Sequence, residues 1–368
     1  MVILMTHRSG SIFDKIADLL SPVTFHYISE EELLNGFQIE LLTPAEQHKN
    51  QESKRPKIIL FDKSGSSVSQ LSGCPDYMCK VMPYEQTTAD AIIGYEPMPD
   101  NPHQIVIALN QESPINSIRW AEIKTHGGFN YRHGATVHSP YGYMLKLRRR
   151  RPLDFETMLK SKKKLVAWFV SNCNTESKRE NYVRELQKYI TVDVYGGCGT
   201  QHCGEKSTET CHAMLKRDYK FYLAFENTVC TDYITEKFWH SIQQDIVPIV
   251  LMRSIVSPFA PQTSFIATDD FESPKALANY LLKLNESDYD YIQHHLWRQQ
   301  FKPIFLSGNN EGIYNRPFGF CQLCRKLWQR TNWTMERLKW KTVLRNDRCY
   351  LYNETTHRYD TSSAHEVN

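Results

Sequence analysis

Apolar residues in the second half of the chain form short continuous runs that alternate with segments of helical periodicity. Residues 165–170 form an unbroken apolar run, the pattern of a strand buried on both faces, and 176–190 carry apolar side chains at helical spacing. Further strands are predicted at 192–195, 221–225, 246–251 and 264–268, and further helices at 235–244 and, after the capping residue Ser273, at 274–284. This alternation predicts an α/β lobe with a parallel sheet between layers of helices.

The first half carries a weaker version of the same pattern. Short apolar strands are predicted at 57–61, 89–95 and 104–110, after a polar and irregular start. Because the chain is long enough for two cores, we predict two lobes with flanking segments. These are a stem-like or poorly determined segment at 1–55, a first lobe at 56–145, a basic linker at 146–164, a second lobe at 165–310 and a C-terminal region at 311–368.

The charge pattern argues against a nucleic-acid partner. Forty-four basic and 41 acidic residues leave a formal net charge of +3, which is too balanced to indicate a polyanion-binding protein. The basic run at 146–151 is better explained as a solvated linker than as a nuclear signal or a polyanion site. No run approaches the roughly 18 apolar residues of a membrane span, and residues 1–20 lack the layout of a signal peptide.

Cysteines and glycosylation sequons together indicate an oxidising secretory compartment. The chain has 10 cysteines, many for a cytosolic enzyme. Asn-x-Ser/Thr sequons begin at Asn285, Asn332 and Asn353. Zinc is the competing explanation, because Cys321 and Cys324 have ligand spacing and Cys74 with Cys79 could complete a site. The even count and the mostly wide spacings favour disulfides over a metal.

Two polar segments follow strands of the second lobe, where an open parallel sheet binds its ligands. Ser171 and Asn172 follow the first strand, and Arg179 lies in the first turn of the next helix. A helix N-terminus with an arginine suits a phosphate, although helix capping explains the same residues equally well.

The second segment contains Tyr222 on its strand, Asn227 and Tyr233 in the loop, and Glu236 and Lys237 at the next helix start. A lysine such as Lys237 can pair with a diphosphate, and a carboxylate such as Glu236 can accept hydrogen bonds from sugar hydroxyls. Both are also ordinary residues for a first helical turn.

The string FYLAFEN at 221–227, followed by DYITEKFW at 232–239 and VPIV at 247–250, resembles the donor-site signature of the α1,3-fucosyltransferase family, glycosyltransferase family 10. Further segments at 129–132, 139–142, 170–172 and 192–196 fall in the order and spacing of that family. The resemblance covers about residues 57–325. It implies the α/β GT-B fold, in which two Rossmann-like lobes with parallel sheets face an interlobe cleft.

The resemblance also implies the donor site. Contacts with the donor GDP-fucose would fall on Ser171, Asn172, Arg179, Tyr222, Asn227, Tyr233, Glu236 and Lys237. Arg179 and Lys237 would hold the diphosphate, so that no metal or cofactor is required and a divalent ion is at most a non-essential stimulator. The acidic pair Asp288 and Asp290 lies in a helical segment outside this site.

The first lobe would then be the acceptor side. Glu112, in a Glu-Ser-Pro element like that of the family, would be the base that deprotonates the acceptor hydroxyl in an inverting α1,3 transfer. Tyr131 and Arg132 match the family's interlobe pair, but the sequence after them departs from it. The acceptor is a glycan or glycoprotein, and either the core N-acetylglucosamine of N-glycans or a lactosamine unit fits.

Disulfides and localisation follow from the same analogy. It implies a Cys173–Cys230 bridge and a pairing of Cys321 and Cys324 with Cys74 and Cys79. It also implies the Golgi lumen and a membrane association through an N-terminal anchor that this chain does not contain, so that the chain is expected to be either truncated or a soluble form. Two alternatives stay open: a GT-B transferase for another sugar nucleotide, and a non-catalytic secretory protein that binds glycans or nucleotides.

Overall fold

The structure is a computed structural model that describes eleven ranges of the chain. They are residues 25–35, 56–61, 79–83, 89–94, 104–120, 122–203, 209–306, 313–315, 317–329, 338–339 and 348–366. Every statement below concerns these residues.

The first lobe is built on a parallel six-stranded sheet. Its elements, in chain order, are β1 (Tyr27–Ser29), α1 (Glu30–Asn35), β2 (Lys57–Phe61), β3 (Cys79–Met82), β4 (Ala91–Ile93), β5 (Ile105–Leu109), β6 (Lys124–Thr125), β7 (Gly127–Asn130) and β8 (Val137–His138). The sheet has the order β3-β2-β4-β5-β7-β8, with every pair parallel. The predicted strands at 57–61, 89–95 and 104–110 are confirmed as β2, β4 and β5.

The second lobe contains a parallel five-stranded sheet. Its elements are β9 (Gly142–Lys146), α2 (Phe155–Lys160), β10 (Lys164–Phe169), α3 (Arg179–Leu186), β11 (Val192–Tyr195), α4 (Glu209–Asp218), β12 (Tyr219–Leu223), β13 (Val229–Cys230), α5 (Glu236–Gln243), β14 (Val247–Val250), α6 (Arg253–Val256), β15 (Ile266–Ala267), α7 (Pro274–Glu286), α8 (Asp288–Gln293) and β16 (Phe301–Phe305). The sheet order is β11-β10-β12-β14-β15. Two parallel sheets confirm the predicted α/β class.

The predicted elements of this lobe form for the reasons that the sequence gives. All residues of β12 and β14 are buried, as expected for central strands with helices on both faces. Helix α7 buries Leu277, Leu281 and Leu284 on one face, and the Ser273 side chain accepts a hydrogen bond from the backbone of Ala276, as the predicted cap requires. Helix α4 was not predicted, because its sequence is mostly polar. Its buried residues are Cys211 and Leu215.

A third sheet joins the two halves of the chain. Strand β9 pairs in parallel with β1 and antiparallel with β16, which comes after the second parallel sheet. Gly142, at the start of β9, lies under the indole of Trp239 from α5, and a Cβ there would be 2.4 Å from the ring and 2.5 Å from the carbonyl oxygen of Ile304. Only glycine allows this close approach.

The C-terminal region contacts both lobes. It comprises α9 (Gly319–Gln329), β17 (Leu338–Lys339), β18 (Arg348–Asn353) and β19 (Arg358–Glu366). Helix α9 packs Leu323 and Leu327 into the core of the first lobe, and β17 pairs with β6. Strands β18 and β19 form a hairpin, hereafter the C-terminal hairpin, whose β18 pairs with β13 of the second lobe.

Four disulfides between described residues correct part of the predicted connectivity. The bridges are Cys79–Cys324, Cys173–Cys198, Cys203–Cys211 and Cys230–Cys349. The first agrees with the prediction, and Cys321 is also disulfide-bonded while Cys74 lies outside the described residues. The predicted Cys173–Cys230 bridge is wrong. Cys230 lies on β13 opposite Cys349 of β18, at a Cα–Cα distance of 4.0 Å, whereas Cys173 lies beside the loop after β11.

Other secretory features are compatible with the structure. Asn285 and Asn353 are exposed, whereas Asn332 lies outside the described residues. Which sequons carry glycans stays a prediction. Within the described ranges, no helix has the length and apolar character needed to span a bilayer.

Candidate active site

The second sheet opens a crevice between β10 and β12. The chain places β11 on one side of β10 and then returns to place β12 on the other. Loops that leave the carboxyl ends of β10 and β12 therefore diverge, and such a switch point is where open parallel sheets bind ligands. We call residues 170–178 the first turn and residues 224–235 the second turn.

The first turn carries Ser171 and Asn172, both exposed at the end of β10. The Ser171 hydroxyl accepts a hydrogen bond of 3.1 Å from the backbone N–H of Gly197 in the neighbouring loop. That loop approaches closely because Gly196 has a φ of +91° and a Cβ there would lie 2.6 Å from the Val170 carbonyl oxygen. The loop after β11 therefore supports the first turn.

Arg179 connects the first turn to the second. Its guanidinium donates hydrogen bonds of 2.6 Å to the carbonyl of Phe225 and 3.2 Å to the carbonyl of Asn172, and it lies over the ring of Trp168. Only 3% of the residue is exposed. Burial lowers the pKa of Arg179, while the charge of Glu226 opposes that shift. Arg179 therefore holds the crevice in shape, and its predicted contact with a diphosphate stays a prediction.

The second turn and the first residues of α5 form a polar cluster of Glu226, Thr235, Glu236 and Lys237. The buried Glu226 carboxylate accepts hydrogen bonds from the backbone and the hydroxyl of Thr235. The Lys237 ammonium lies 3.0 Å from Glu226 and 2.9 Å from Glu236. Burial raises the pKa of Glu226, and the charge of Lys237 opposes this. For Lys237 burial works in the lowering direction, but Glu226 and Glu236 raise its pKa overall, so that it remains a cation.

Tyr222, Glu236 and Lys237 face a common cavity of 270 Å³. Its lining comprises Phe169, His212, Leu215, Tyr222, Glu236, Lys237, His240 and Ser241. Asn227 belongs to the second turn, and its side-chain oxygen is buried without a hydrogen-bond partner among the described residues. The structure therefore brings Tyr222, Glu236 and Lys237 to one cavity, and it places the other predicted donor residues in the two turns and at the start of α3.

Glu112 approaches this site from the first lobe. It follows β5, and its exposed carboxylate accepts a hydrogen bond of 3.1 Å from the hydroxyl of Tyr233 in the second turn. Asn116 contacts the same oxygen at 3.4 Å, and the Asn110 side chain accepts the backbone N–H of Glu112 at 2.8 Å. The ring of Tyr233 packs 5.1 Å from that of Tyr131, so this hydrogen bond spans the two lobes beside an aromatic contact.

A cleft of 440 Å³ lies at Gln111, the residue before Glu112, and five of its lining side chains are aromatic. It is lined by Leu109, Gln111, Phe129, Ser139, Pro140, Tyr141, Glu236, Phe305, Leu306, Asn315, Phe318, Gly319 and Phe320. Tyr141, which the sequence analysis did not select, donates a hydrogen bond of 2.7 Å to the Gln111 carbonyl. Burial and the charges of Glu236, Glu226 and Glu112 raise its pKa. The sequence signal that could have identified Tyr141 is its place in the Ser-Pro-Tyr-Gly segment at 139–142.

The segment after Arg132 joins the lobes at the other end of the site. The Arg132 backbone N–H binds the Asn130 side chain, and the His133 backbone N–H donates to Asp232 of the second turn at 3.1 Å. The ring of His133 stacks on that of His26 with 4.3 Å between centroids. The residues after Arg132, where the sequence departs from the family pattern, therefore border the second turn.

The acidic pair Asp288 and Asp290 lies outside the site, as predicted. Both residues belong to α8, which Ser287 caps by accepting from the backbone of Asp290, and Asp288 lies 3.6 Å from Lys220. Among the residues that the structure describes, no group of three or more histidine, cysteine or acidic side chains has a metal-binding arrangement.

Comparisons with known proteins identify the family. Residues 159–341 match the family model of glycosyltransferase family 10 (fucosyltransferase), C-terminal part. The chain is 40% identical to alpha-(1,3)-fucosyltransferase fut-1 of Caenorhabditis elegans over 286 residues, which are 74% of this chain and 65% of the relative, just under two thirds of its length. It is 35% identical to 3-galactosyl-N-acetylglucosaminide 4-alpha-L-fucosyltransferase FUT3 of Bos taurus over 70% of this chain and 71% of that protein.

The fold has a solved counterpart. A crystal structure of an alpha1,3-fucosyltransferase with GDP-fucose superposes with a TM-score of 0.51 over 77% of this chain and 94% of that chain, at 17% identity. This likeness confirms the GT-B arrangement. The sequence relatives place the chain in glycosyltransferase family 10, the fucosyltransferase family.

Proposed function

We propose that this chain transfers L-fucose from GDP-β-L-fucose, in α1,3 linkage and with inversion, to an N-acetylglucosamine residue of a glycan. One observation carries the proposal: the exposed Glu112 carboxylate of the first lobe lies 3.1 Å from the hydroxyl of Tyr233 in the second turn. A single displacement needs a base on one side of the sugar and, on the other side, a cation that binds the leaving group. Glu112 and Lys237 suit these two tasks.

In the proposed reaction, Glu112 accepts the proton of the acceptor hydroxyl while that oxygen forms a bond to the anomeric carbon of fucose. The bond from this carbon to the β-phosphate oxygen breaks, and its electron pair leaves with GDP. A well-positioned base contributes roughly 10²–10⁴-fold to such a step. Lys237 stabilises the charge that develops on GDP, and Arg179 holds the turns that bind it.

The cleft at Gln111, with its five aromatic side chains, supports a sugar acceptor. Rings of Phe129, Phe318 and Phe320 line it together with the polar groups of Gln111 and Asn315. Aromatic faces pack against the apolar face of a pyranose and its N-acetyl methyl group, and the few polar groups orient the hydroxyls. An N-glycan core and a lactosamine unit both contain N-acetylglucosamine, and mass spectrometry of a glycosylated product distinguishes them.

The compartment and the cofactor requirement belong to the same proposal. Four disulfides among the described residues support folding in the secretory pathway, and we place the enzyme in the Golgi lumen. Two cations, Arg179 and Lys237, would carry out the charge stabilisation that other transferases assign to a metal, so no metal is required.

A donor panel tests the proposal. GDP-fucose should raise the melting temperature more than GDP-mannose, UDP-galactose or UDP-N-acetylglucosamine, because only a ligand of the native state stabilises it. With an N-acetylglucosamine-terminated acceptor, GDP should be released and an α-linked fucoside formed. Preferential stabilisation by another sugar nucleotide would favour a transferase of that donor class. Binding of GDP-fucose without turnover on any acceptor would favour a non-catalytic protein.

A further inference from the structure

We infer that the C-terminal hairpin is a positioning element for the nucleotide donor and that Tyr359 is the residue through which it acts on the first turn. The inference rests on the proposed function, because it assumes that the two turns bind GDP-fucose. The hairpin begins at Arg348, beyond the family match that ends at residue 341.

Ser177 of the first turn links the two turns and is 1% exposed. Its backbone N–H donates to the carbonyl of Asn227 at 3.0 Å, and its hydroxyl donates to the carbonyl of Glu226 at 2.7 Å. Its own carbonyl accepts a hydrogen bond of 2.7 Å from the hydroxyl of Tyr359. The position of Ser177 therefore sets the spacing between the turns, and the hairpin fixes Ser177.

Tyr359 reaches Ser177 from strand β19 and is 7% exposed. Its ring belongs to the main core of the second lobe and packs 5.4 Å from the ring of Tyr352 across the hairpin. A phenylalanine could keep this packing and would lose only the hydroxyl. The hydrogen bond can therefore be tested without removing the ring.

The hairpin also holds the second turn. The Cys230–Cys349 disulfide joins β13 to β18, and the Thr231 backbone N–H donates to the Arg348 carbonyl at 2.9 Å. The Cys230 carbonyl in turn accepts the backbone N–H of Tyr233 at 3.1 Å, so a backbone hydrogen bond links the bridged cysteine to the residue that contacts Glu112. One C-terminal element is thus attached to both sides of the crevice.

A third attachment lies on helix α3. The Asn181 side chain donates a hydrogen bond of 2.8 Å to Glu354 in the turn of the hairpin. All three attachments are in the second lobe, whereas Glu112 belongs to the first. Loss of these attachments should therefore weaken donor binding more than it slows the chemical step, because donor binding depends on pre-organised turns.

Tyr359→Phe tests the inference. Loss of the hydroxyl leaves the buried Ser177 carbonyl without this donor, and we expect the Kd for GDP and the KM for GDP-fucose to rise about tenfold. The kcat should stay within about twofold of the original enzyme at saturating donor. Isothermal titration calorimetry with GDP measures the affinity without any turnover.

Tyr352→Phe is the matched control. The Tyr352 hydroxyl binds His357 at 2.7 Å within the hairpin, so this change removes a hydroxyl from the same element without touching either turn. GDP affinity should be unchanged. The double variant Cys230→Ser/Cys349→Ser, assayed in the same way, should weaken GDP binding like Tyr359→Phe.

The possible results separate the inference from the proposed function. An unchanged GDP affinity in both Tyr359→Phe and the disulfide variant, an equal loss in both tyrosine variants, or a fall in kcat with KM unchanged would overturn the inference. A clear loss of affinity in the disulfide variant with none in Tyr359→Phe would overturn the role of Tyr359. An original enzyme that does not bind GDP at all would overturn the proposed function, whatever the variants do.

Discussion

Replacing Lys237 by methionine removes the cation that two carboxylates share. The ammonium lies 3.0 Å from Glu226 and 2.9 Å from Glu236, and it donates to the Thr235 hydroxyl at 2.8 Å. Methionine keeps the apolar stem of the side chain and loses the charge. Glu226, whose side chain is 11% exposed, is then left as a buried carboxylate without a cation at ion-pair distance among the described residues.

The size of the effect follows from this burial. Removing one partner of a buried ion pair typically costs about 3–5 kcal/mol. Glu226 keeps its hydrogen bonds from Thr235, and the Lys237 side chain is 20% exposed and partly screened. We therefore expect the free energy of unfolding at pH 8 to fall by about 2–3 kcal/mol. Loss of the diphosphate contact should also lower kcat/KM about 10²–10³-fold.

The loss of stability should depend on pH, with a sign that the structure fixes. Burial already raises the pKa of Glu226, and Lys237 opposes that shift, so the variant raises this pKa further. A carboxyl group with a higher pKa in the folded state binds more protons there, and its contribution to stability decreases as pH rises from the unfolded pKa towards the folded pKa. Lys237→Met should therefore be less destabilised at pH 5 than at pH 8.

Urea unfolding of the original protein and the variant at pH 5 and pH 8 measures this difference. Lys164→Met is the control, because Lys164 pairs with Asp193 at 2.9 Å but its side chain is 46% exposed. Burial of Asp193 acts in the raising direction, but hydrogen bonds from Tyr219 and Lys164 lower its pKa overall. The control should lose less than about 1 kcal/mol, equally at both pH values. An equal loss at both pH values for Lys237→Met, or a larger loss at pH 5, would refute the reasoning.

Three further outcomes follow from the site. Tyr233→Phe removes the hydrogen bond to Glu112 between the lobes, and kcat should fall about 10-fold or more in a GDP-release assay, since a hydrogen bond to a charged group contributes roughly 1.5–3 kcal/mol. Arg179→Lys cannot hold both the Phe225 and Asn172 carbonyls, so calorimetry should show GDP affinity reduced about 10-fold. Prolonged treatment with EDTA should leave turnover at half its original value or higher, because cationic side chains stabilise the leaving group.

The position of the two turns could be predicted because its signals are local, whereas their donor role came from the family resemblance. An unbroken apolar run gave the strand found as Lys164–Phe169, and helical spacing over 176–190 gave the helix found as Arg179–Leu186, trimmed at both ends. The polar residues after these strands had to converge, because parallel strands end on one edge of a sheet. The two turns were therefore placed without any knowledge of distant contacts.

The rest depends on contacts between distant parts of the chain. Cys230 and Cys349 are 119 residues apart, and only the pairing of β13 with β18 brings them together, so the analogy that joined Cys230 to Cys173 across the two turns gave the wrong partner. The bracing role of Arg179 was hidden for the same reason, since its carbonyl partner Phe225 comes from another turn. The hairpin around Tyr359 is mostly polar in sequence, so it offered no apolar periodicity to detect.

The most direct test of the account is the behaviour of Glu112→Gln with GDP-fucose and an acceptor that ends in N-acetylglucosamine. The change keeps the size of the side chain and removes the base, while the donor turns lie in the other lobe. We expect GDP release to fall roughly 10²–10⁴-fold, with the Kd for GDP-fucose unchanged in calorimetry. Turnover of Glu112→Gln at the original rate would contradict the assignment of the base and, with it, the proposed mechanism.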